Sequence, residues 1–262
     1  MTTGRSRAAA LSVLLALTPS AGLAACGSAD GSGGGGDQVV VSAASSLKQA
    51  FTTYGEQFDG GRMRASFAGS DELAAQIRQG VKPDVFAAAN TKLPDELYKE
   101  GLVEKPERFA TNELVLAVPS GSEAIGSLDD LAGDGVTIAI GAEGVPVGDY
   151  TRTVLGELPT DQTQAILGNV RSNEPDVAGI VGKLTQRAVD AGFVYRSDVE
   201  GADGKLKAIE LPDNLEPTIE YGVAIVKDAP NPDGAQDFVD GLLDGPGAQA
   251  LKDNGFGRPA GT

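Results

Sequence analysis

Residues Gly69, Ser70 and Asp71 lie at a junction where a strand pattern gives way to a helix pattern. Residues 64–68 alternate as in a strand, and apolar residues then return with helical spacing over 73–77. A serine at such a junction often caps the helix. The start of a helix also offers free backbone N–H groups and a partial positive charge, which together can bind an anion. The junction therefore predicts either a simple helix cap or one wall of an anion site.

Other predicted strand-to-helix junctions carry the same kinds of group. In open α/β sheets, ligands bind beyond the carboxyl ends of the strands, where helices begin. The further junctions are AASSL (43–47), GAEGVPVG (141–148), SNEPDV (172–177) and YRSD (195–198). They supply hydroxyls, small side chains and free backbone N–H groups. We interpret the nearby Arg171 and Arg196 as solvated cations, so an anion site here would work through local dipoles.

The N-terminus predicts export and lipidation. An apolar run at 8–17 follows two arginines and is too short to span a bilayer, which indicates a signal peptide. Leu23–Cys26 resembles the bacterial lipobox, where cleavage before the cysteine is followed by its lipidation; an ordinary signal with a chance cysteine is the alternative. We therefore expect a signal peptide at 1–25 and a lipidated Cys26 with a flexible Gly/Ser tether at 26–37. The mature protein would then be anchored by lipid on the extracytoplasmic face of the cell membrane.

The composition excludes several kinds of function. With no histidine and a single cysteine, the usual zinc sites and histidine-based catalysis are unavailable. The sequence also lacks a Gly-x-Ser-x-Gly elbow and a Walker-type phosphate loop. We therefore expect that the protein is not an enzyme and binds no cofactor. Because Arg5 and Arg7 leave with the signal peptide, 21 cations become 19 against 37 acids, a net charge of −18. Such a chain is not expected to bind nucleic acid.

Strand and helix patterns alternate along the rest of the chain. Predicted strands cover 39–43, 64–68, 85–89, 114–118, 136–140, 193–195 and 219–227. Predicted helices cover 46–58, 70–79, 94–100, 146–158, 176–191 (ending at Gly192), 232–243 and 247–253. This alternation predicts an α/β fold with mainly parallel sheets. Roughly 220 residues suit one large domain or two small lobes.

Six segments in this order resemble the molybdate-binding proteins of bacterial ABC importers. They are VSAASSL (41–47), FAGSDELAAQI (67–77), PDVFAAA (83–89), GVPVGDY (144–150), AGFVYRSD (191–198) and GFG (255–257). The resemblance implies a type II periplasmic-binding-protein fold, with two α/β lobes joined by two crossover strands and a ligand cleft between them. It implies that 38–117 plus 222–262 form lobe one and that 118–221 form lobe two.

The resemblance also implies a ligand and its contacts. The ligand would be molybdate or tungstate, bound only as the oxyanion and delivered by a monomer to an ABC permease. Carried over residue by residue, the contacts are the hydroxyls of Ser46, Ser70 and Tyr195 and the backbone N–H groups of Val147 and Val177. Ser45 and Gly69 are candidate second contacts. A protein of the same fold that binds sulfate, phosphate or another small anion is the alternative, and a structural lipoprotein without a ligand is a further one.

Two positions depart from the family pattern. Gly69 stands where a hydroxyl residue is common, and Val147 stands where alanine is common. Neither change removes a backbone donor, although the larger valine could narrow the pocket.

Nearby acids have structural interpretations. We interpret Asp71 and Asp176 as first-turn acids that favour the helix dipole. Asp84 and Asp198 are interpreted as cap or turn residues. A doubly charged oxyanion without protons accepts hydrogen bonds only, so a site made of donors suits it.

Overall fold

The structure is a computed structural model that describes residues 38–260. The predicted signal peptide, Cys26 and the tether up to Asp37 lie outside the described residues, so these assignments stay predictions. Within 38–260, none of the helices has both the length and the hydropathy needed to cross a bilayer.

Ten strands and nine α-helices make up the described chain. The strands are β1 (Gln38–Ala44), β2 (Arg62–Ala68), β3 (Val85–Ala88), β4 (Glu107–Asn112), β5 (Leu114–Pro119), β6 (Ile138–Gly141), β7 (Val170–Glu174), β8 (Ala191–Tyr195), β9 (Leu206–Ile209) and β10 (Ile219–Ile225). The helices are α1 (Lys48–Gly55), α2 (Ser70–Arg78), α3 (Lys92–Lys99), α4 (Pro146–Gly156), α5 (Thr160–Gly168), α6 (Val177–Thr185), α7 (Arg196–Glu200), α8 (Pro232–Asp244) and α9 (Pro246–Asp253). Short 3-10 turns lie at Ser45–Leu47, Asp129–Ala132 and Asp213–Leu215.

Two five-stranded sheets define the two lobes and confirm the predicted fold class. The sheet of lobe one has the order β2-β1-β3-β10-β4, and the sheet of lobe two has the order β7-β6-β8-β5-β9. The strands β1, β3, β5 and β8 are almost wholly buried, as expected for strands covered on both faces.

Each sheet is mixed, which corrects the expectation of mainly parallel sheets. In lobe one, β1 pairs in parallel with β2 and β3, whereas β10 is antiparallel to β3 and β4. In lobe two, β6 pairs in parallel with β7 and β8, whereas β5 is antiparallel to β8 and β9. The antiparallel strands β5 and β10 enter their sheets directly from the other lobe. They are therefore not part of a strand–helix–strand unit, the connection that makes neighbouring strands parallel.

The strand pairing moves the lobe boundaries by a few residues. β5 pairs within lobe two from Leu114 onward, and β10 pairs within lobe one from Ile219 onward. The expected boundaries at 117/118 and 221/222 thus fall inside these two strands. We place the first crossing at Glu113, the single residue between β4 and β5, and the second crossing between β9 and β10.

The predicted helix 176–191 is too long. α6 ends at Thr185, and Arg187 adopts a φ of 56°, a left-handed conformation that turns the chain out of the helix. Gly192 is not a helix stop, because it lies inside β8. A Cβ at Gly192 would lie 2.6 Å from Ile180 of α6, so glycine allows this helix to pack closely on the sheet.

Five elements were not predicted: β4, β7, β9, α5 and α7. The two edge strands β4 and β7 read ERFATN and VRSNE, so they lack the apolar run by which strands were recognised.

Asp84 has the structural role that the sequence indicated. Its carboxylate accepts hydrogen bonds from the backbone N–H of Val40 and of Asn231, each at 2.7 Å. It thereby ties β1 to the residue that caps α8.

Candidate functional site

All seven predicted contact residues line one small cavity between the lobes. Ser45, Ser46, Gly69 and Ser70 come from lobe one, and the others come from lobe two. The remaining lining residues are Ala44, Ala68, Ala89, Val145, Pro146 and Asp176. The cavity volume is about 10 Å³, roughly the space that one water molecule needs. A larger cavity of about 990 Å³, lined by α9 and the chain that follows it, includes none of the seven.

Ser70 lines the cavity and can donate its hydroxyl proton there. It is the first residue of α2 and is 1% exposed. Its Oγ accepts a hydrogen bond of 3.0 Å from the backbone N–H of Ala89. Because this bond uses an oxygen lone pair, the hydroxyl proton can still be donated to a ligand.

Ser46 lies in the 3-10 turn that follows β1. Its Oγ is 3.0 Å from the hydroxyl of Tyr221 on β10, and either oxygen could be the donor. Tyr221 was not predicted as part of the site. In the sequence, Tyr221 fits the apolar pattern of a buried strand. No local pattern indicates its contact with Ser46.

Two helix N-termini of lobe two point backbone donors at the cavity. Val147 is the second residue of α4, and Val177 is the first residue of α6. First-turn N–H groups have no partner inside their own helix, so they can bind a ligand. The carboxylate of Asp176 accepts from the N–H of Gly179 at 2.9 Å, so it caps α6 instead of acting within the first turn.

Glycines set the position of α4 against its sheet. A Cβ at Gly148 would lie 2.1 Å from the carbonyl oxygen of Ala142, and one at Gly141 would lie 2.6 Å from the backbone nitrogen of Gly148. Only glycine permits this approach, which brings the N-terminus of α4 to the end of β6.

Tyr195 ends β8 and brings an unsatisfied hydroxyl to the site. The side chain is 1% exposed, and among residues 38–260 its hydroxyl has no hydrogen-bond partner. Burial above all raises the pKa of Tyr195 well above its usual value, so the phenol keeps its proton at neutral pH. Buried hydroxyls nearly always have partners, so this one is left for a partner that residues 38–260 do not supply.

The donors around the cavity are all neutral. Within the described chain, no lysine or arginine lines it. Arg196 differs from the predicted solvated cation, because its guanidinium is partly buried and forms ion pairs with Glu113 and Glu210. Glu113 forms the first lobe crossing and Glu210 begins the second, so Arg196 links the two crossing segments. Arg196 does not line the cavity.

Asp198 lies behind Tyr195 and is partly buried. Its carboxylate accepts from the backbone N–H of Tyr195 at 3.0 Å, which confirms the cap interpretation. Burial, reinforced by the charge of Asp176, raises the pKa of Asp198 to about 7 in spite of that hydrogen bond.

The two lobes touch beside the cavity. A Cβ at Gly69 would lie 2.5 Å from the carbonyl oxygen of Pro175, which belongs to lobe two. The glycine at this position therefore lets the lobes meet, and the cavity is closed on this side.

Comparison with known proteins decides the family. A family model described as a bacterial extracellular solute-binding protein matches residues 39–257. This chain belongs to that family. The solute-binding protein is 35% identical over 251 residues to the molybdate-binding protein ModA of Mycobacterium tuberculosis. The alignment covers 91% of this chain and 94% of ModA. It is 28% identical over 231 residues to the molybdate-binding protein ModA of Escherichia coli, covering 84% of this chain and 88% of that protein.

Solved structures support the two-lobe fold of the solute-binding protein. The periplasmic molybdate-binding protein of Azotobacter vinelandii aligns with a TM-score of 0.76 at 23% identity, covering 84% of this chain and 99% of that chain. The sulfate-binding protein SubI of Mycobacterium tuberculosis aligns with a TM-score of 0.75 at 14% identity. The alignment covers 86% of this chain and 88% of that chain. At these identities the structural similarity supports the fold but does not identify the ligand.

Proposed function

We propose that this solute-binding protein captures molybdate or tungstate in the interlobe cavity and delivers it to an ABC permease. The observation that carries the proposal is the buried hydroxyl of Tyr195, which has no partner among the described residues. It faces the same cavity as Ser46 and Ser70. A tetrahedral oxyanion between the lobes would accept from all three hydroxyls.

The chemistry of the cavity favours a fully deprotonated oxyanion. Its polar lining consists of hydroxyls, helix N-termini and one acid, Asp176, whose Oδ1 accepts from the N–H of Gly179. Hydrogen bonds to a charged acceptor are roughly twice as strong as neutral ones. Each helix N-terminus adds about 0.3–1 kcal/mol, and more where it is partly buried. Relatives named as molybdate-binding proteins support the choice of ligand.

The remaining features of the proposal follow the sequence. The protein would lose residues 1–25, carry a lipid on Cys26 and act as a monomer outside the cytoplasmic membrane. It would bind its ligand without transforming it and would need no cofactor. Mass spectrometry of the protein from membranes should find a diacylglyceryl group on Cys26, and a Cys26→Ser variant should be released from them.

A thermal melting series tests the ligand. The purified protein is melted with molybdate, tungstate, sulfate or phosphate at equal concentrations. Ligand at about 100 times its Kd stabilises a fold by roughly 2.7 kcal/mol. At about 2–4 °C per kcal/mol for a chain of this size, Tm should rise by about 5–11 °C. We expect molybdate and tungstate to raise Tm. A shift with sulfate or phosphate alone would assign the protein to another anion, and no shift with any would refute anion capture.

A further inference from the structure

The ring of Tyr221 is held firmly between the lobes. The side chain is fully buried on β10, the strand by which the chain returns to lobe one. Phe109 and Phe256 pack against it edge to face, with ring centroids 6.0 and 5.4 Å away. The ring of Tyr195 packs on it from lobe two at 5.9 Å. These contacts fix where the Tyr221 hydroxyl points.

That hydroxyl meets Ser46 and keeps its proton. The two oxygens are 3.0 Å apart in a buried contact. Burial, followed by the charge of Asp198, raises the pKa of Tyr221 well above its usual value. The pair therefore holds two protons, one on each oxygen, and either oxygen could donate to the other.

A bound dianion would select one of the two arrangements. If Ser46 donated to Tyr221, it would direct lone pairs at the anion, which is repulsive. If Tyr221 donates to Ser46, the Ser46 proton is free for the anion, where a charge-assisted bond is stronger than a neutral one. Hydrogen bonds in such a chain also polarise one another and gain strength.

We propose that Tyr221 is a positioning residue for anion capture: its hydroxyl donates to Ser46 Oγ and thereby directs the Ser46 proton into the cavity. This inference rests on the proposed function, because it requires Ser46 to contact the anion. It adds a residue that does not line the cavity. It also makes the strand that joins the lobes a direct support of the lobe-one donor.

A double-mutant cycle with sodium molybdate tests the inference. Tyr221→Phe keeps the ring and removes the hydroxyl, and we expect isothermal titration calorimetry to give a Kd about three- to tenfold higher. In a Ser46→Ala background, the same substitution should change Kd less than about twofold, because the oxygen through which Tyr221 acts is gone.

Tyr54→Phe is the matched control. The Tyr54 hydroxyl is also buried and donates to the carbonyl oxygen of Phe238 at 2.9 Å, in a part of lobe one outside the cavity. This variant should lower Tm and leave Kd unchanged. If the role of Tyr221 were purely structural, Tyr221→Phe would likewise lower Tm and leave Kd unchanged.

Three results separate the inference from the proposed function. Loss of affinity in Tyr221→Phe that disappears in the Ser46→Ala background supports the inference. An unchanged Kd in Tyr221→Phe, or an equal loss in both backgrounds, overturns it while the anion proposal stands. Absence of molybdate binding by the unmodified protein overturns both.

Discussion

At the scale of single residues, the hydroxyl of Tyr195 is buried without a hydrogen-bond partner among residues 38–260. Tyr195→Phe removes a polar group with no partner among the described residues and keeps the ring. The ligand-free variant should therefore melt at the same temperature as the parent or higher, since an unsatisfied buried group is removed. Its Kd for molybdate should nevertheless rise about tenfold or more. Scanning calorimetry and titration calorimetry measure the two effects, and a lower Tm in the ligand-free variant would mean that the hydroxyl has a partner inside the protein.

Ser70 should contribute in the same way from the opposite lobe. Ser70→Ala removes a donor to a charged ligand, which typically costs about 1.5–3 kcal/mol, so Kd should rise about tenfold to a hundredfold. Ser42→Ala is the matched control, because Ser42 is a buried serine of β1 outside the cavity lining. It should leave Kd unchanged in the same titration. Equal Kd values for the two variants would remove Ser70 from the site.

Residue types placed Ser46, Ser70 and Tyr195 among the candidates at the junctions, and the family resemblance then assigned them as contacts. Each stands where a strand ends, and strand ends meet at one edge of a sheet. The partner of Ser46 was not predictable, because the contact with Tyr221 spans 175 positions of sequence. Only the folded arrangement of β1 and β10 makes these two residues neighbours.

At the scale of elements, the junction between β8 and α7 should make stability depend on pH. The folded-state pKa of Asp198 is about 7, above its usual value of 3.8, so between these pH values the folded protein keeps a proton that the unfolded chain has lost. The contribution of Asp198 to the free energy of unfolding is fully present below pH 3.8. It declines as the pH rises towards 7, by up to about 1.4 kcal/mol per pH unit.

Asp198→Asn tests this dependence. The amide oxygen can still accept from the Tyr195 N–H, but it has no proton to lose. Urea denaturation between pH 5 and 8 should show a falling free energy of unfolding in the parent and a flatter profile in the variant. Asp228→Asn, at a side chain that is 83% exposed, should keep the slope of the parent. Parallel profiles for parent and Asp198→Asn would show that Asp198 is ionised throughout.

Elements with strong apolar patterns were predicted, and polar ones were not. The runs at 85–89 and 114–118 became β3 and β5 because buried strands need continuous apolar residues. β7 has alternating partial exposure at the edge of its sheet, so its composition resembles that of a loop. The end of α6 depended on the backbone conformation of Arg187, a residue type that rarely adopts a positive φ.

At the scale of the whole molecule, we expect closure of the cleft to depend on the close approach of Gly69 to Pro175. Gly69→Ala would place a Cβ 2.5 Å from the Pro175 carbonyl oxygen, a backbone atom that yields little. The lobes should then fail to meet fully, and Kd for molybdate should rise about tenfold or more while each lobe stays folded. Small-angle scattering with saturating molybdate should give a larger radius of gyration for the variant than for the parent.

Gly156→Ala is the control for this prediction. A Cβ there meets no atom within 4 Å, and alanine suits a helix better than glycine does. Binding and scattering should match those of the parent. If Gly69→Ala also matches the parent in both measurements, the contact does not limit closure.

The lobe boundaries illustrate what the sequence leaves undetermined at this scale. An apolar run such as 114–118 has the same pattern whichever sheet it joins. Its place in lobe two is set by pairing with β8 and β9. Both partners lie far along the chain, so no local pattern predicts the crossing at Glu113.

The order of strands also has a consequence for how the protein is made. Lobe two is one continuous segment, and its sheet has all five strands once the chain up to Ile209 has emerged. The sheet of lobe one has a gap between β3 and β4 until β10 arrives. Because domains fold in the order of synthesis, the inserted lobe can reach its native state first. The sheet of lobe one, whose first strands are made first, then stays incomplete until β10 is made. Until that point the facing edges of β3 and β4 are unpaired and open to pairing with other strands.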